Sequence, residues 1–315
     1  MTDQSPLSGR VALVSGAAQG IGLAIAQGLV QRGCQVVMAD PGTGIDGHGA
    51  DPTIVKQAAA ALGAAALPFA DSIASPAAAQ AAVELAVKRF GGVDIVVNNA
   101  AILRDAFIFK LDPGDFEAVI RANLLAAAYV LGAATPVMRD QVKAGRGGEP
   151  YGWGRLVNIV STAGFYGNYG QAAYASAKAG LIGLTRVAAL DMARSQVTCN
   201  AVAPFAATRV TESIKPANDG QAQYKARALT VSPVHVANFV AFLSGPAAQG
   251  ISGQIFGVRG RELFLFSQSR PIARVASPAG EWSEASLSEA LAKDFAGRYV
   301  ELGTDLEAFS GEPLI

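Results

Sequence analysis

Charge is scarce in this chain. Only 16% of its 315 residues are Asp, Glu, Lys or Arg, and 25 basic residues face 25 acidic ones. A sparse, balanced charge gives no electrostatic footing for nucleic acid or an anionic membrane, so neither is expected as a partner. Cysteine is scarcer still. Cys34 and Cys199 lie far apart, each beside an apolar run, which excludes a disulfide framework or a metal-ligand spacing and reads as two buried thiols in a reducing compartment. Long apolar runs are missing too: Gly, Pro or charge interrupts the Ala-rich stretches before they reach the roughly 20 residues of a membrane helix. The opening MTDQSPLSGR has no apolar segment of the signal-peptide kind, so a cytoplasmic location is expected.

What is present is apolar and rhythmic. Hydrophobic residues make up 51% of the chain, which suits a sheet covered on both faces, whose strands read as unbroken apolar runs. RVALVS, QVVMAD, AAALPFA, VDIVVNNA, RLVNIVS, QVTCNAVAP and QIFGV alternate with helical patterns starting near Gly20, Pro52, Pro76 and Asp112, among others. That alternation predicts a doubly wound, mostly parallel sheet in a three-layer α/β/α arrangement. Ser75-Pro76 and Asp112-Pro113 place an oxygen acceptor at the N-cap and a proline at the first helical position. Residues 1–260 form the expected domain. Residues 261–315 leave the rhythm and read as a C-terminal extension docked on the core or on a partner subunit. One helix is expected there near 286–302, with Leu287, Leu291 and Phe295 on one stripe. The segment 143–154 reads as an insertion at the sheet edge away from ligands.

The carboxyl ends of the strands carry the polar residues. SGAAQGIG follows the first strand and opens the first helix, placing Gly16, Gly20 and Gly22 around Gln19 and Ile21. Glycines there let the backbone turn tightly and approach a pyrophosphate at a positive helix N-terminus. Asp40 ends the second strand and is followed by PGTGIDG, without Arg or Lys. A carboxylate there accepts from adenosine ribose hydroxyls and repels a 2′-phosphate, which favours NAD over NADP. Asp71 and Ser72 after the third strand, Asn98, Asn99 and Ala100 after the fourth, and Pro204 after the sixth complete the candidate cofactor edge.

Tyr174 and Lys178, in YASAK, share one helix face because residues four apart lie one turn apart. Ser161 ends the fifth strand, and Asn123 is a lone amide in the apolar helix RANLLAA. Hydride transfer explains the set together. A phenol of pKa about 10 is a poor base at neutral pH, and Lys178 with an oxidised nicotinamide is expected to lower it by about two to three pH units. Tyr174 then exchanges the alcohol proton, Ser161 holds the substrate oxygen, Lys178 reaches the nicotinamide ribose and Asn123 holds a water linking Lys178 to solvent.

GAAQGIG, NNA, Ser161 and YASAK, in this order and spacing over about residues 8–258, resemble the short-chain dehydrogenase/reductase family. The resemblance implies a Rossmann fold, those four catalytic residues, and a homodimer or homotetramer. Ser15 stands where the family usually has Thr, and Ala101 and Phe205 where it usually has Gly. NNAAILRD, YGNYGQAAYASAK and the insert DPGTGIDGHGAD are similar, more narrowly, to the (3R)-hydroxyacyl-CoA dehydrogenase part of multifunctional β-oxidation enzymes and bacterial relatives. The expected substrate is a hydrophobic secondary alcohol or ketone, a CoA thioester among the candidates. Arg209, Lys215, Lys225 and Arg227 outnumber Glu212 and Asp219 in the substrate loop, an excess suited to CoA phosphates. Phe165, Tyr166, Tyr169 and Phe205 are expected to wall the pocket. A hydroxysteroid or other bulky secondary alcohol is the alternative substrate, and a non-catalytic NAD-binding protein the distant alternative.

Overall fold

Every β-branched run of the alternation forms a strand. The computed structural model describes residues 5–146, 154–213, 216, 219–277 and 280–315; Lys215 and most of the 143–154 insertion lie outside them. The elements run β1 (Val11–Ser15), α1 (Gly20–Val30), β2 (Gln35–Ala39), α2 (Pro52–Ala61), β3 (Ala66–Phe69), α3 (Pro76–Phe90) and β4 (Ile95–Asn98). They continue α4 (Pro113–Ile120), α5 (Ala126–Lys143), β5 (Arg155–Ile159), α6 (Ala163–Tyr166), α7 (Ala172–Met192) and β6 (Thr198–Phe205). The chain ends with α8 (Arg209–Ser213), α9 (Asp219–Ala228), α10 (Val234–Leu243), β7 (Ile255–Arg259), β8 (Glu262–Leu265), α11 (Glu284–Ala290) and α12 (Asp305–Ala308).

The eight strands form one sheet in the order β3-β2-β1-β4-β5-β6-β7-β8. All pairs are parallel except β7–β8, an antiparallel hairpin at the edge that the alternation did not predict. Alternate residues of β1 feed two cores. Ala12 and Val14 pack with Ile25 and Leu29 of α1 and Val236 and Val240 of α10, whereas Val11 and Leu13 pack with Val83 of α3 and Val130, Ala134 and Met138 of α5. The strand order reverses between β1 and β4, and a crevice opens at such a switch point beyond the strand carboxyl ends.

The caps at Ser75 and Asp112 are in place: Ser75 Oγ accepts from the Ala78 amide at 3.2 Å and Asp112 Oδ1 from the Asp115 amide at 2.9 Å. Helices α4 and α5 run as one rod through a π turn at Arg121–Leu125. This rod, Pro113–Lys143, is long and apolar enough by composition to cross a bilayer, contrary to the expectation from interrupted runs. Its apolar stripe is spent on the sheet instead, with Val130, Ala134 and Met138 buried.

The extension departs from its expected helix. α11 stops at Ala290 and passes into a π turn over Leu291–Phe295. Leu287 and Leu291 remain exposed, so the predicted stripe has no core to face, and the helix has nothing to lengthen it. The last residues return to the sheet edge. Arg259 Nη1 donates to the Phe309 and Gly311 carbonyls at 3.1 Å each. The Arg261 amide donates to the Leu314 carbonyl at 2.7 Å, and Arg227 Nε pairs with Glu312 at 2.8 Å.

Candidate active site

A cleft of about 1290 Å³ runs along the carboxyl ends of the strands, from Asp71 and Ser72 at one end to Tyr224 and Asp305 at the other. That exceeds the roughly 300–1,000 Å³ of a typical small-ligand pocket and leaves room for a dinucleotide beside a substrate.

The first half is a backbone cradle. Gly16 and Gly20 adopt φ of 62° and 54°, which L side chains rarely occupy. A Cβ on Gly22 would lie 1.9 Å from the Gly16 carbonyl oxygen, so this glycine serves loop packing and does not face the cleft. Gln19, the N-cap of α1, makes no side-chain cap, and no acid occupies the first turn. Gly20 and Ile21 line the cleft there. The amides of this turn are thus uncapped at a positive helix end, the arrangement that takes a phosphate. Ser15 fastens the loop to β4: its Oγ accepts from the Asn99 and Ala100 amides at 2.9 and 3.1 Å.

Asp40 lies at the cleft wall, 8% exposed. Its Oδ2 accepts from the Ala18 amide at 3.0 Å and its Oδ1 from the Gly42 amide at 2.8 Å. Each oxygen keeps a second acceptor site, so the carboxylate braces the glycine loop and still offers lone pairs to the cleft. The glycine-rich insert folds across this end, where Thr43, Gly44, Ile45 and Gly47 line the cleft. Arg104 Nε holds it through the Asp46 carbonyl at 2.8 Å.

Asn98 requires a correction. Its Nδ2 donates to Asn158 Oδ1 at 2.9 Å inside the sheet, and the side chain does not line the cleft. Asn99 lines it instead, with Nδ2 donating to the Ser15 and Gly16 carbonyls at 3.0 and 3.1 Å. Asn98 is still within the strand, flanked on both faces; Asn99 is the first residue past it. Ala100, Pro204, Asp71 and Ser72 do line the cleft.

In the second half Ser161, Tyr174 and Lys178 come together on the cleft wall. Ser161 Oγ accepts from the Ala163 amide at 3.2 Å, and the Ser161 side chain is near enough to the Tyr174 hydroxyl to favour its ionised form. Lys178 is 2% exposed. Its Nζ donates to the Ile159 carbonyl at 2.8 Å and lies 5.6 Å from the centroid of the Tyr174 ring. The small residues of α7 permit this: a Cβ on Gly164 would sit 2.9 Å from the Ala179 amide nitrogen, so α6 and α7 touch backbone to backbone.

The electrostatics differ from the expectation. Burial pushes the Tyr174 phenol up to about 12; the Ser161 hydroxyl works against this, and the charges of Asp305 and Asp105 add to it. Burial pushes Lys178 down to about 8. With its ammonium over the ring and engaged by Ile159, the lysine does not outweigh the desolvation of the phenol in the protein alone.

Asn123 also departs from its expected part. It is buried in the π turn, where its Oδ1 accepts from the Ile102 amide at 2.8 Å and its Nδ2 donates to the Ile102 carbonyl at 2.9 Å. Both ends of the carboxamide are committed to the backbone that follows β4, so the side chain braces that cleft segment and is not directed at Lys178. The wide turn is what brings the amide into reach.

Residues 10–221 match the family described as short chain dehydrogenase. The chain belongs to the short-chain dehydrogenase family. It is 38% identical over 298 residues to the hydroxyacyl-CoA dehydrogenase ChsB1 of Mycobacterium tuberculosis, covering 94% of this chain and 92% of that one. It is 38% identical over 210-odd residues to the peroxisomal multifunctional enzyme type 2 of Drosophila melanogaster; the 211 matched residues are 66% of this chain and 33% of that protein. A crystal structure of a short chain dehydrogenase from Mycobacterium avium superposes with a TM-score of 0.77 at 32% identity, covering 95% and 98% of the two chains.

In this short-chain dehydrogenase the substrate end is built largely by residues outside the sequence motifs. Phe205 and Tyr169 line the cleft, but Phe165 and Tyr166 do not. Phe165 stacks on Phe266 at 4.7 Å, and Tyr166 meets Phe309 edge-on at 5.9 Å. Phe309, from the chain end, packs on Phe205 at 4.7 Å. Of the basic residues offered to CoA phosphates, Arg227 is held by Glu312 and the Ser310 carbonyl. Lys225 donates to the Glu212 carbonyl at 2.6 Å. Arg209 lines the cleft at the cofactor end, donating to the Thr43 carbonyl at 3.2 Å. Asp105, the last residue of NNAAILRD, also lines it, as do Thr162, Tyr224 and Asp305; the last three carry no motif, and Asp305 is 143 residues from its partner Thr162.

Proposed function

We propose that this protein is an NAD-dependent dehydrogenase that interconverts a hydrophobic secondary alcohol, foremost a 3-hydroxyacyl-CoA, and its ketone. The observation that carries the reading is the meeting of Ser161, Tyr174 and Lys178 on one wall of the cleft, with Lys178 Nζ 5.6 Å from the Tyr174 ring, opposite a half that is an uncapped helix end.

A nicotinamide cofactor in the glycine cradle would supply the two-electron acceptor or donor. The protein supplies the rest. Ser161 Oγ is placed to hydrogen-bond the substrate oxygen, and Tyr174 Oη to exchange that oxygen's proton. Lys178 offers a cation beside the phenol and is positioned for a ribose hydroxyl. Asn123 acts through Ile102, fixing the segment that lines the middle of the cleft. Similarity to hydroxyacyl-CoA dehydrogenase ChsB1 and the apolar Phe205 on the cleft wall, backed from behind by Phe309, support an acyl chain. The exposed Leu190 and Val187 on α7 support a subunit contact through that helix.

The reading is tested by following NADH formation with 3-hydroxyoctanoyl-CoA and a hydroxysteroid in parallel. Preferred turnover of the thioester is expected; turnover of the steroid alone would move the assignment to the alternative substrate. The NAD preference is tested separately at Asp40. Asp40→Ala removes the like charge facing a 2′-phosphate, and the ratio of kcat/KM for NAD over NADP should fall by about tenfold, close to 1.4 kcal/mol. Part of the loss will be shared by both cofactors, because the carboxylate also braces Ala18 and Gly42. An unchanged ratio would remove Asp40 from cofactor selection.

A further inference from the structure

The cleft carries a polar group that the proton-transfer set does not use. Asp105, on the segment after β4, is exposed to solvent and lines the cleft. Its charge helps to raise the Tyr174 phenol, so it stands within electrostatic range of the reacting centre. Its Oδ2 accepts from Gln171 Nε2 at 3.1 Å, and its Oδ1 has no partner among the described residues. A carboxylate has about four acceptor sites, so most of this one's capacity is open to a ligand.

The carboxylate is held in place by two loops. The Ala106 amide donates to the Gly170 carbonyl at 2.8 Å, which makes a single parallel bridge between Ala106 and Gln171. The Gln171 amide in turn closes onto the Asn168 carbonyl at 3.2 Å. Asn168 Oδ1 accepts from the Tyr169 amide at 2.9 Å, leaving its Nδ2 without a partner among the described residues. Asn168 and Gln171 line the cleft as Asp105 does, and so do Phe107 and Tyr169, 52% and 72% exposed. An acceptor, a donor and two aromatic faces are thus fixed on adjoining loops.

This set discriminates between ligands. A hydrocarbon chain or a steroid nucleus laid over Asp105 and Asn168 would strip their water and return no hydrogen bond, which is costly. An arm that alternates methylenes with secondary amides suits both parts of the wall. The aromatic rings cover its methylenes, and each amide brings one donor and one acceptor. The pantetheine arm of a CoA thioester has this chemistry, with its first amide two methylenes beyond the sulfur.

Resting on the dehydrogenase reading, we infer that Asp105 and Asn168 form a subsite for that amide, Asp105 Oδ1 accepting from its N–H and Asn168 Nδ2 donating to its carbonyl. The subsite selects a pantetheine-type thioester over an alkyl thioester. Gln171 is a positioning residue that aims the carboxylate.

The experiment uses two substrates of equal length, the N-acetylcysteamine and S-pentyl thioesters of 3-hydroxyoctanoate. The first has the amide and the second has methylenes in its place. The readout is the ratio of kcat/KM for the amide thioester over the S-pentyl one, in which any effect of Asp105 on Tyr174 is common to both and cancels. Asp105→Ala should lower this ratio by about tenfold, the loss of one charge-assisted hydrogen bond, chiefly through KM. Asn168→Ala, which leaves the Gln171 contact whole, should lower it by about threefold and serves if the first variant does not fold. Gln171→Leu breaks the same loop contact but keeps the carboxylate, so its ratio should stay within about threefold of wild type. Equal losses on both thioesters in Asp105→Ala would reduce Asp105 to a loop fastening and overturn the inference. So would a Gln171→Leu ratio that falls as far as that of Asp105→Ala. Turnover of 2-octanol with neither thioester accepted would overturn the inference and leave the enzyme a dehydrogenase. If wild type turns over none of the three, the dehydrogenase reading fails by itself, and calorimetric binding of the two thioesters to wild type and Asp105→Ala decides the subsite independently.

Discussion

Tyr174→Phe is expected to keep NADH binding and lose turnover. Positioned proton transfer is worth roughly 10²–10⁴ in rate, and nothing among the described residues offers a second phenol beside Ser161. The substitution removes one buried hydroxyl and leaves the ring in place, so the stability change should be within about 1 kcal/mol. Loss should fall on kcat with KM nearly constant, because the hydroxyl acts on the proton in flight and contributes little to holding the chain of the substrate. Fluorescence titration of NADH separates binding from chemistry. Activity retained within tenfold would take the proton-transfer part away from Tyr174.

The same residue sets a pH dependence. With its phenol pushed up to about 12, Tyr174 stays protonated through neutral pH and is ready to give a proton to a forming alkoxide. Ketone reduction should therefore hold steady from about pH 6 to 8, while alcohol oxidation, which needs the phenolate, should climb with pH over the same range. A reduction rate that falls across that window would mean that a group of lower pKa donates the proton.

The layers of the fold were legible because the inner strands are buried on both faces and so announce themselves as short β-branched runs, RVALVS or RLVNIVS; the edge strand β8, exposed at alternate residues, gave no such run. The paired caps at Ser75 and Asp112 were legible because capping is local chemistry. Ser161, Tyr174 and Lys178 could be assembled from motif order, since parallel strands deliver their carboxyl ends to one edge. What escaped is what depends on distance or register. Asn98 and Asn99 are adjacent letters, and only the strand end decides which of them turns to Asn158 and which to the cleft. Asn123 reads as an ordinary helical amide, whereas a π turn, invisible in a 3.6-residue period, aims it at Ile102. Asp305 lies in an irregular tail whose docking rests on Arg259, Arg227 and a cluster of phenylalanines far away in sequence. No periodicity marks such contacts, so the carboxylate at the substrate end had no signal in the sequence.

Lys178→Met should make the protein more stable and nearly inactive. Burial pushes the ammonium from 10.5 down to about 8, so at pH 7 the folded state carries a charge it disfavours, a cost of about 3 kcal/mol at most. Methionine fills similar volume without charge. It leaves the Ile159 carbonyl without its 2.8 Å donor, which returns about 1 kcal/mol or more of the gain. A net stabilisation of about 1–2 kcal/mol remains, roughly 1.5–3 °C in Tm for a chain of this size. The sign follows from proton uptake. Between about pH 8 and 10.5 the unfolded lysine holds a proton that the folded one has released, so wild type gains stability as pH rises through that window and the advantage of the variant shrinks. Tyr174, whose folded pKa lies above its unfolded value, and the buried Cys34 and Cys199 act in the opposite direction at alkaline pH. They are common to both proteins and cancel in the difference. Paired melting curves at pH 7 and 9.5 test this; a variant less stable than wild type at pH 7 would show that the Ile159 contact outweighs the buried charge. Turnover should fall by about 10²-fold or more, since the cation beside the phenol is gone. A site that destabilises its own fold and is kept nonetheless is one retained for chemistry.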